Sequence, residues 1–444
     1  MSDPRALLGD LIARALAAGA DAADALYLEG TSLSVSRRLG RVEQLERSEG
    51  RDLGLRVFVG RKVAGVSSSA LDPAGFDELA ARAVAMARVV PDDIYAELTQ
   101  ATGHEDDAAA LDLDDGSEIE AEALIERAAA AEDAAMAVRS VTNSEGADAS
   151  FSRGKSLLVT SAGFQGGFSR TSHSISAVAL AGEGVGMQRD YDYSSARHLS
   201  DLEDAAGIGH RAGERAVARL NPGRPATAKL PVMFDPRVAG SLLGHLSGAI
   251  NGASVARGTS FLKGDLGNRV FAPGIEIVDD PRRPRGLSSR PFDGEGVSTR
   301  ARNLVEDGVL TGWLLDGRSA RQLGLSTFGN ASRGTAGQPS PSTTNLFLRP
   351  GNMTPAELMA DITLGLYITE LIGMGVNGLT GDYSRGAAGF MIRDGALAEP
   401  VAEITIAGHL REIFSHMIPA NDLRFRRGTD SPTVRVEGLT MAGS

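Results

Sequence analysis

The sequence contains no cysteine among its 444 residues. Disulfides, thiolate metal ligands and a cysteine nucleophile are therefore excluded. Aromatic residues make up only 5% of the chain, whereas 54 glycines indicate many turns and close backbone approaches. Basic residues are outnumbered, with 45 Lys and Arg against 57 Asp and Glu, and the net charge of -12 argues against a nucleic-acid binder.

The sequence also lacks any run of about 18 uncharged apolar residues, so no membrane-spanning helix is predicted. The first 26 residues mix charged with apolar side chains, unlike the uninterrupted apolar region of a signal peptide. They predict an amphipathic helix, with Ser2 or Asp3 as the cap and Pro4 at the first helical position. These features and the acidic balance favour a cytoplasmic protein without membrane contact.

The length favours two domains, with three as the alternative, because a domain typically spans about 100 to 200 residues. The segment 221–229, NPGRPATAK, has two prolines and no apolar pattern, which is typical of a linker. We therefore expect an N-terminal domain over residues 1–222 and a C-terminal domain over 223–444.

The hydrophobic pattern predicts an α+β protein. In the first domain, alternating runs at 25–38, 41–50 and 53–69 predict an antiparallel meander, and four or five more runs fill 137–200. Helices are predicted at 72–90, 120–138 and 201–220, and the acidic segment 105–120 is predicted to be a solvated loop. The second domain shows many short strands, separated by DGEG, EDG, RDG and GTD turns, and a capping box at Thr354 and Glu357. This pattern favours a strand-rich, barrel-like or sandwich domain.

Three short motifs in the second half suggest chemistry but lack its structural context. GMGVNG, at 373–378, matches the dinucleotide fingerprint, yet a strand-like rather than helical segment follows it. The segment 382–386, DYSRG, resembles a nucleophile elbow without its first glycine. His409 and His416 are seven residues apart, about 10 Å along a helix, which is too far for one shared zinc ion.

A helix with one histidine is predicted at residues 236–249. Asp235 is a cap, Pro236 suits the first helical position, and an apolar stripe follows at helical spacing. A catalytic zinc needs three protein ligands, an open position for water and a general base. Only His245 on this helix can ligate a metal.

Four segments in order resemble the TldD/PmbA family, once called modulators of DNA gyrase, and are most similar to its PmbA (TldE) branch. They are GSLLGHLSGAINGASVARGTSFL (240–262), PSPSTTNLFLRPG (339–351), GMGVNGLTGDYSRGAAGFMIRDG (373–395) and PVAEITIAGHLREIF (400–414). The resemblance covers nearly the whole chain and is strongest after residue 231.

The resemblance implies a metallopeptidase motif that this chain has lost. The TldD branch carries His-Glu-x-x-x-His on this helix, with a distant cysteine as third zinc ligand. These positions fall on Gly240, Ser241 and His245 here, and the cysteine has no counterpart. We therefore expect no zinc in this chain and no intact catalytic residue.

The resemblance further implies a TldD-type zinc peptidase subunit as partner, with peptides or unfolded polypeptides as substrates. The hypothesis is thus a silent subunit that completes a peptidase. Candidate substrate or interface residues are Arg257, Gly258, Thr259, Ser260, Asn377, Gly381, Asp382, Tyr383, Ser384 and Arg385. Within them, GDYSRG (381–386) is predicted to form either a functional surface, offering two opposite charges and an aromatic contact, or simply a tight turn.

Other functions stay open at this stage. One alternative is a self-sufficient homodimeric hydrolase, with unidentified metal ligands or a nucleophilic Ser384. Another is a peptide-binding protein that acts without a TldD-type subunit. A homodimer of the isolated chain is compatible with each of them.

Overall fold

The computed structural model describes residues 3–103 and 105–443. A single antiparallel sheet of six strands fills the N-terminal half. Its strands are β1 (Ala22–Arg38), β2 (Arg41–Val59), β3 (Lys62–Ser68), β4 (Val141–Thr160), β5 (Gln165–Ala181) and β6 (Gln188–Ala196). Their order across the sheet is β3-β2-β1-β4-β5-β6. The side chains of residues 105–107 lie outside the described part of the chain. Of the two predicted caps of the first helix, Ser2 also lies outside the described residues, and Asp3 caps the helix.

Four helices cover one face of this sheet. They are α1 (Pro4–Ala17), α2 (Phe76–Val89), α3 (Ala121–Met136) and α4 (Ala205–Ala218). Side chains alternate between the faces of a strand, so odd-numbered residues of β1 point toward the helices. Tyr27 belongs to the core under α1 and α2, and Val35 to a separate core under α3 and α4. We call this side the helix face and the opposite side, which carries Leu26 and Leu28, the open face.

Several predicted element boundaries in this half are wrong. The two runs at 41–50 and 53–69 are not separate, because β2 continues unbroken and pairs with β1 along its whole length. The predicted four or five runs at 137–200 are three long strands. The helix predicted at 72–90 begins with a short 3-10 turn at Pro73–Gly75, capped by Asp72. The acidic segment is not simply solvated, since it buries Leu111 and Leu113.

The C-terminal half contains a closed barrel. The strands of the whole C-terminal half are β7 (Ala228–Phe234), β8 (Ile277–Asp279), β9 (Arg302–Glu306), β10 (Val309–Leu310), β11 (Ala331–Ser332), β12 (Ser340–Pro341), β13 (Leu346–Leu348), β14 (Leu364–Ile372), β15 (Asp382–Arg393), β16 (Ala396–His409), β17 (Met417–Pro419), β18 (Thr429–Asp430) and β19 (Val434–Ala442). The barrel order is β16-β15-β14-β7-β19, and β19 also pairs with β16, which closes the ring. The predicted α+β class with a barrel-like second half is confirmed.

Helix α5 (Pro236–Ala249) connects this barrel to a second sheet, of order β10-β9-β8-β13-β18. It packs against β7 and β14 of the barrel and against β13 and β18 of the second sheet. The remaining helices are short: α6 (Gly252–Ala256), α7 (Gly317–Leu323), α8 (Pro355–Met359) and α9 (Leu410–Ser415). One large apolar core unites α5 with both sheets. The predicted capping box at Thr354 and Glu357 is present at α8. The EDG motif forms the turn between β9 and β10, and the RDG motif forms the turn between β15 and β16.

Ion pairs join the two halves near β6. The Asp192 carboxylate is fully buried and lies 2.6 Å from Arg211 Nε, 3.0 Å from Arg215 Nη1 and 2.9 Å from Arg426 Nη1. Burial alone would raise the pKa of Asp192, but the three guanidinium groups outweigh it and hold the pKa below its usual range. Arg426 comes from the C-terminal half, so this carboxylate fastens that half to β6 and α4. The domain boundary after residue 222 stays a prediction.

No helix in the described part of the chain is long and apolar enough to cross a membrane.

Candidate functional site

Helix α5 has the cap and the apolar stripe that the sequence predicts. The Asp235 side chain accepts a hydrogen bond from the backbone N–H of Arg237, and Pro236 occupies the first turn. Its buried residues include the whole predicted stripe: Val238, Leu242, Leu246 and Ala249. This burial fixes the rotation of the helix about its axis. Residues 240, 241 and 245 consequently occupy set positions relative to the barrel and to β18.

Gly240 lies where the backbone of β18 approaches the helix. A Cβ atom at this position would lie 3.1 Å from the carbonyl oxygen of Thr429, closer than ordinary van der Waals contact. Any side chain at residue 240 would therefore need the backbone of β18 to give by a few tenths of an ångström. Glycine itself offers no side chain that could bind a metal.

Ser241 does not offer a group that can activate water. Its hydroxyl donates a hydrogen bond of 2.6 Å to the carbonyl oxygen of Val238, one turn earlier in the same helix. A serine hydroxyl has no carboxylate basicity, whereas a general base needs a pKa near the working pH.

His245 is the one metal-binding side chain at the three motif positions, and it contacts an aromatic ring. Its imidazole lies edge-on to Tyr383, with ring centroids 5.8 Å apart and an interplanar angle of 76°. The buried Nε2 atom has no hydrogen-bond partner in the described chain. Burial lowers the pKa of His245, and the nearby Arg385 guanidinium lowers it further, so the imidazole is neutral at pH 7.

The donors near His245 do not fit a zinc site. Residues 3–103 and 105–443 contain no cluster of three or more histidine, cysteine, aspartate or glutamate side chains that could hold a metal ion. A catalytic zinc site needs three such ligands. One imidazole beside a phenol ring, a glycine and an engaged serine does not provide them.

The segment GDYSRG, predicted to form either a functional surface or a tight turn, lies at the beginning of strand β15. Only Gly381 has a positive φ, of 92°, after which Asp382 pairs with His409 and the ladder with β16 continues. The tight-turn alternative is wrong: the glycines on either side favour a turn, but residues 382–384 are exposed, buried and exposed in alternation, as in a strand. Tyr383 is 1% exposed and belongs to the core, so it is not a surface contact.

The two charges in this segment have separate partners. Asp382 Oδ2 accepts a 2.6 Å hydrogen bond from Thr380 Oγ1, and Arg385 Nε donates to the carbonyl oxygen of Ile372 at 3.3 Å. Ser384 is exposed, but its hydroxyl makes no hydrogen bond to a histidine within the described residues. The strand context and the missing base do not support a nucleophilic serine at this position.

The two predicted candidate segments, 257–260 and 377–385, do meet. The backbone N–H of Phe261 donates to the carbonyl oxygen of Gly378 at 3.1 Å, and Asn377 Oδ1 accepts from the N–H groups of Leu379 and Thr380. The fold places both segments beside each other at one end of the barrel.

Most residues of 257–260 hold the local backbone. Ser260 is buried and donates to the carbonyl oxygen of Ala249, while Thr259 Oγ1 donates to that of Ser254. Gly258 has a φ of 73°, as expected after a helix end. Arg257 is exposed, and its Nη2 atom reaches Ser254 Oγ at 3.4 Å. Arg257 and Thr259 are the members of this segment that a ligand or partner can reach.

The connection between β14 and β15 exposes apolar side chains that the sequence reasoning missed. Ile372 is 58% exposed, Met374 87% and Leu379 58%. A shallow concavity of about 550 Å³, lined by residues 374–378 and 382–384, lies beside them. We call Ile372, Met374 and Leu379 the apolar rim. The sequence signal that indicates the apolar rim is the presence of three large apolar residues in a short connection that is rich in glycine.

A second unpredicted cluster lies at the helix face of the N-terminal sheet. His173 Nε2 lies 2.9 Å from Asp115 Oδ2 and 3.3 Å from Ser117 Oγ, and Ser117 also donates to Asp115 at 2.6 Å. In a serine hydrolase, the acid and the nucleophile bind opposite ring nitrogens. Here both bind the same nitrogen, so this cluster fastens the acidic segment to β5 and is not a catalytic triad.

Comparison with known proteins gives consistent matches along the chain. Three family profiles match: PmbA/TldA metallopeptidase domain 1 at residues 23–87, the central domain at 114–220 and the C-terminal domain at 227–443. A protein named metalloprotease PmbA, from Escherichia coli O157:H7, is 36% identical over 444 residues, covering 99% of this chain and 97% of the relative. A metalloprotease PmbA homolog from Haemophilus influenzae is 32% identical, covering 93% and 90%.

Solved structures share the whole fold. TldE from Thermococcus kodakarensis superimposes with a TM-score of 0.87 at 19% identity, covering 98% of this chain and 100% of that chain. A candidate modulator of a DNA gyrase from Thermotoga maritima gives a TM-score of 0.88 at 25% identity, covering 98% and 99%.

Proposed function

The chain belongs to the PmbA/TldD family of metallopeptidases, and on this premise we propose that it is the catalytically silent subunit of a heteromeric zinc peptidase. In this proposal a TldD-type partner holds the zinc ion, and this chain helps to form the chamber in which peptides and unfolded polypeptides are cleaved. The cytoplasm is the proposed location.

The donor set on α5 carries the proposal. The positions that bear two histidines and a glutamate in the TldD branch hold Gly240, Ser241 and His245 here, and the sequence has no cysteine. One neutral imidazole can neither hold a catalytic zinc nor replace the missing base. The carbonyl oxygen of Thr429 also lies close to Gly240, so that a Cβ atom there would be in tight contact with it.

The apolar rim supports a partner at this end of the barrel. Large exposed apolar side chains grouped in one connection mark interaction sites more often than single exposed residues do. Met374 is almost fully exposed, and the rim lies beside the strand that carries Tyr383 and Arg385. A partner seated on the rim would therefore lie close to the degenerate motif.

Extended peptides suit the proposed role. Peptides that bind as an added strand use main-chain hydrogen bonds and so tolerate many sequences. Such binding requires an unfolded substrate, because folded proteins have their main-chain groups already paired.

The test is cleavage of an unstructured peptide by the purified chain, by a TldD-type protein from the same organism and by the co-expressed pair. We expect no cleavage by this chain alone and chelator-sensitive cleavage by the pair. Zinc content is measured in parallel for the wild type and for His245→Ala. Stoichiometric zinc in the isolated chain, lost in His245→Ala, would overturn the proposal, as would cleavage by the isolated chain.

A further inference from the structure

A cavity of about 360 Å³ lies between the open face of the N-terminal sheet and loops of the C-terminal half. Strands β1, β4 and β5 form one wall, and residues 287–294, 332–333 and 342–343 form the other. Leu158, Phe168 and Phe292 give it an apolar side. Three arginines, Arg170, Arg290 and Arg333, also line it. A basic cavity is unexpected in a chain with a net charge of -12.

The guanidinium groups of this cavity keep unused donors. Arg290 Nε and Nη2 are buried and have no hydrogen-bond acceptor in the part of the chain that the structure describes. Arg333 has a side chain only 3% exposed; its Nη1 donates to Asp24 Oδ1 at 2.6 Å, whereas its Nε is unpaired among the described residues. Burial lowers the pKa of Arg170 and is the dominant influence on that of Arg290.

The neighbouring carboxylates are already engaged. Asp293, which lines the cavity, accepts hydrogen bonds from the backbone N–H groups of Glu295, Val297 and Ala331. These bonds involve both oxygens of the carboxylate. The negative charge of Asp293 offsets part of the cost of burying the Arg290 charge, but Asp293 accepts no hydrogen bond from Arg290 Nε or Nη2.

Asp279, the other carboxylate near Arg290, is similarly committed. It accepts from the N–H and the hydroxyl of Thr344 and from Asn330 Nδ2. Buried donors without acceptors are rare in native proteins because each costs stability. An acceptor brought by a ligand would remove that cost.

We propose that this cavity binds an oxyanion. The assignment of that oxyanion rests on the proposed function: it is the C-terminal carboxylate of a peptide substrate. The planar guanidinium group binds a carboxylate with two parallel hydrogen bonds. Arg290 lines the cavity, and a turn of its side chain would bring the buried Nε and Nη2 atoms, which have no acceptor in the described chain, toward such a ligand. Phe168 and Phe292 provide an apolar surface for the last side chain of the peptide.

A groove continues from the cavity and has room for the rest of the peptide. It has a volume of about 460 Å³ and shares Leu28, Ser156, Phe168 and Arg170 with the cavity. Gly30 and Gly154 are direct partners on adjacent strands at its floor, and a Cβ at either would meet only ordinary contacts. An extended backbone can therefore run along the open face.

The test compares binding of one fluorescent peptide, as the free acid and as the C-terminal amide, to the isolated chain. We expect the acid to bind at least about tenfold tighter, since one charge-assisted hydrogen bond is worth that much. Arg290→Gln should remove the difference between acid and amide. Arg82→Gln, which removes the same charge from an exposed position on α2, should preserve it.

Melting temperature separates loss of the site from loss of the fold. Arg290→Gln breaks no hydrogen bond within the described chain, but it removes the positive charge near the buried Asp293 and Asp279 carboxylates, so it should melt below the wild type. Binding is therefore compared at a temperature at which both proteins are fully folded. Equal binding of acid and amide to the wild type would overturn the proposal. Displacement of the free-acid peptide by inorganic phosphate would support an oxyanion site. If phosphate binds but the chain does not prefer the free-acid peptide to the amide, the ligand is a free anion and the peptide assignment is overturned.

The assay uses neither partner nor zinc, so it is independent of the cleavage test. Equal acid and amide binding would leave cleavage by the pair unaffected. A chain that cleaves alone would overturn the proposed function and would not alter the comparison of acid with amide.

Discussion

Replacing Asp192 by asparagine should destabilise the protein far more than an ordinary surface change. The substitution removes a fully buried carboxylate and leaves Arg211, Arg215 and Arg426 facing one another. Breaking a buried ion pair from one side costs about 3 to 5 kcal/mol. Arg211 and Arg215 are about one third exposed, and Arg211 and Arg426 both keep Glu203, so solvent screening reduces this figure. We expect a loss of about 2 to 4 kcal/mol at pH 7.

The loss should depend on pH in one direction. The folded-state pKa of Asp192 lies below its unfolded value of about 3.9, so the ionised carboxylate stabilises the fold above that pH. This stabilisation disappears as the pH falls through the folded-state pKa. Wild type and Asp192→Asn should therefore differ fully at pH 7, and the difference should shrink progressively as the pH falls below about 4.

Urea unfolding is the assay, followed by circular dichroism and by the fluorescence of the single tryptophan, Trp313, which is buried in the C-terminal half. The matched control is Asp77→Asn, because Asp77 pairs with Arg14 at 3.0 Å but is 78% exposed. That variant should lose less than about 1 kcal/mol. Equal losses in Asp192→Asn and Asp77→Asn, or an undiminished difference at pH 3, would refute the reasoning.

Three further predictions concern the barrel. Met374→Asp should reduce co-purification with the TldD-type partner at least about tenfold, because a charge would be buried in an apolar contact. Val185→Asp, at another exposed apolar position, should not reduce it. Equal recovery of the partner with the two variants would contradict a partner at the apolar rim. Tyr383→Phe should raise the free energy of unfolding by about 1 kcal/mol, because it removes a buried hydroxyl without a partner in the described chain; a loss measured by urea unfolding would show that the hydroxyl is bonded. Gly240→His should lower stability by about 1 to 3 kcal/mol through overpacking against Thr429 and should bind no zinc by metal analysis; stoichiometric zinc would show that a ligand set exists around α5.

Local signals in the sequence predicted the elements that local physics controls. The cap at Asp235, the proline after it and the four-residue stripe placed α5 correctly, because helix starts and amphipathic faces depend on neighbours within a few residues. The turns at Asp307 and Asp394 were equally local, since both precede a glycine with positive φ.

Contacts between distant parts of the chain were not predictable in this way. Glycines usually mark turns, so the sequence offers a tight turn at GDYSRG, whereas pairing with β16 makes residues 382–386 part of a strand. Nothing near Asp192 in the sequence indicates Arg426, and nothing near Arg290 indicates that Asp293 and Asp279 accept their hydrogen bonds from other residues. The resemblance implies the positions of the degenerate motif, whereas the approach of Thr429 to Gly240 depends on how β18 packs against α5, nearly 200 residues away in the sequence.

The closure of the barrel has a consequence for how the protein is made. Strand β7 lies between β14 and β19, and β19 begins at Val434, 200 residues after β7 ends at Phe234. During synthesis, β7 and the apolar stripe of α5 leave the ribosome long before either neighbouring strand exists. Pairings between such distant segments form slowly and leave apolar surface exposed meanwhile. The C-terminal half should therefore depend on chaperones while it is nascent, and a premature stop codon that removes only β19 should abolish its folding.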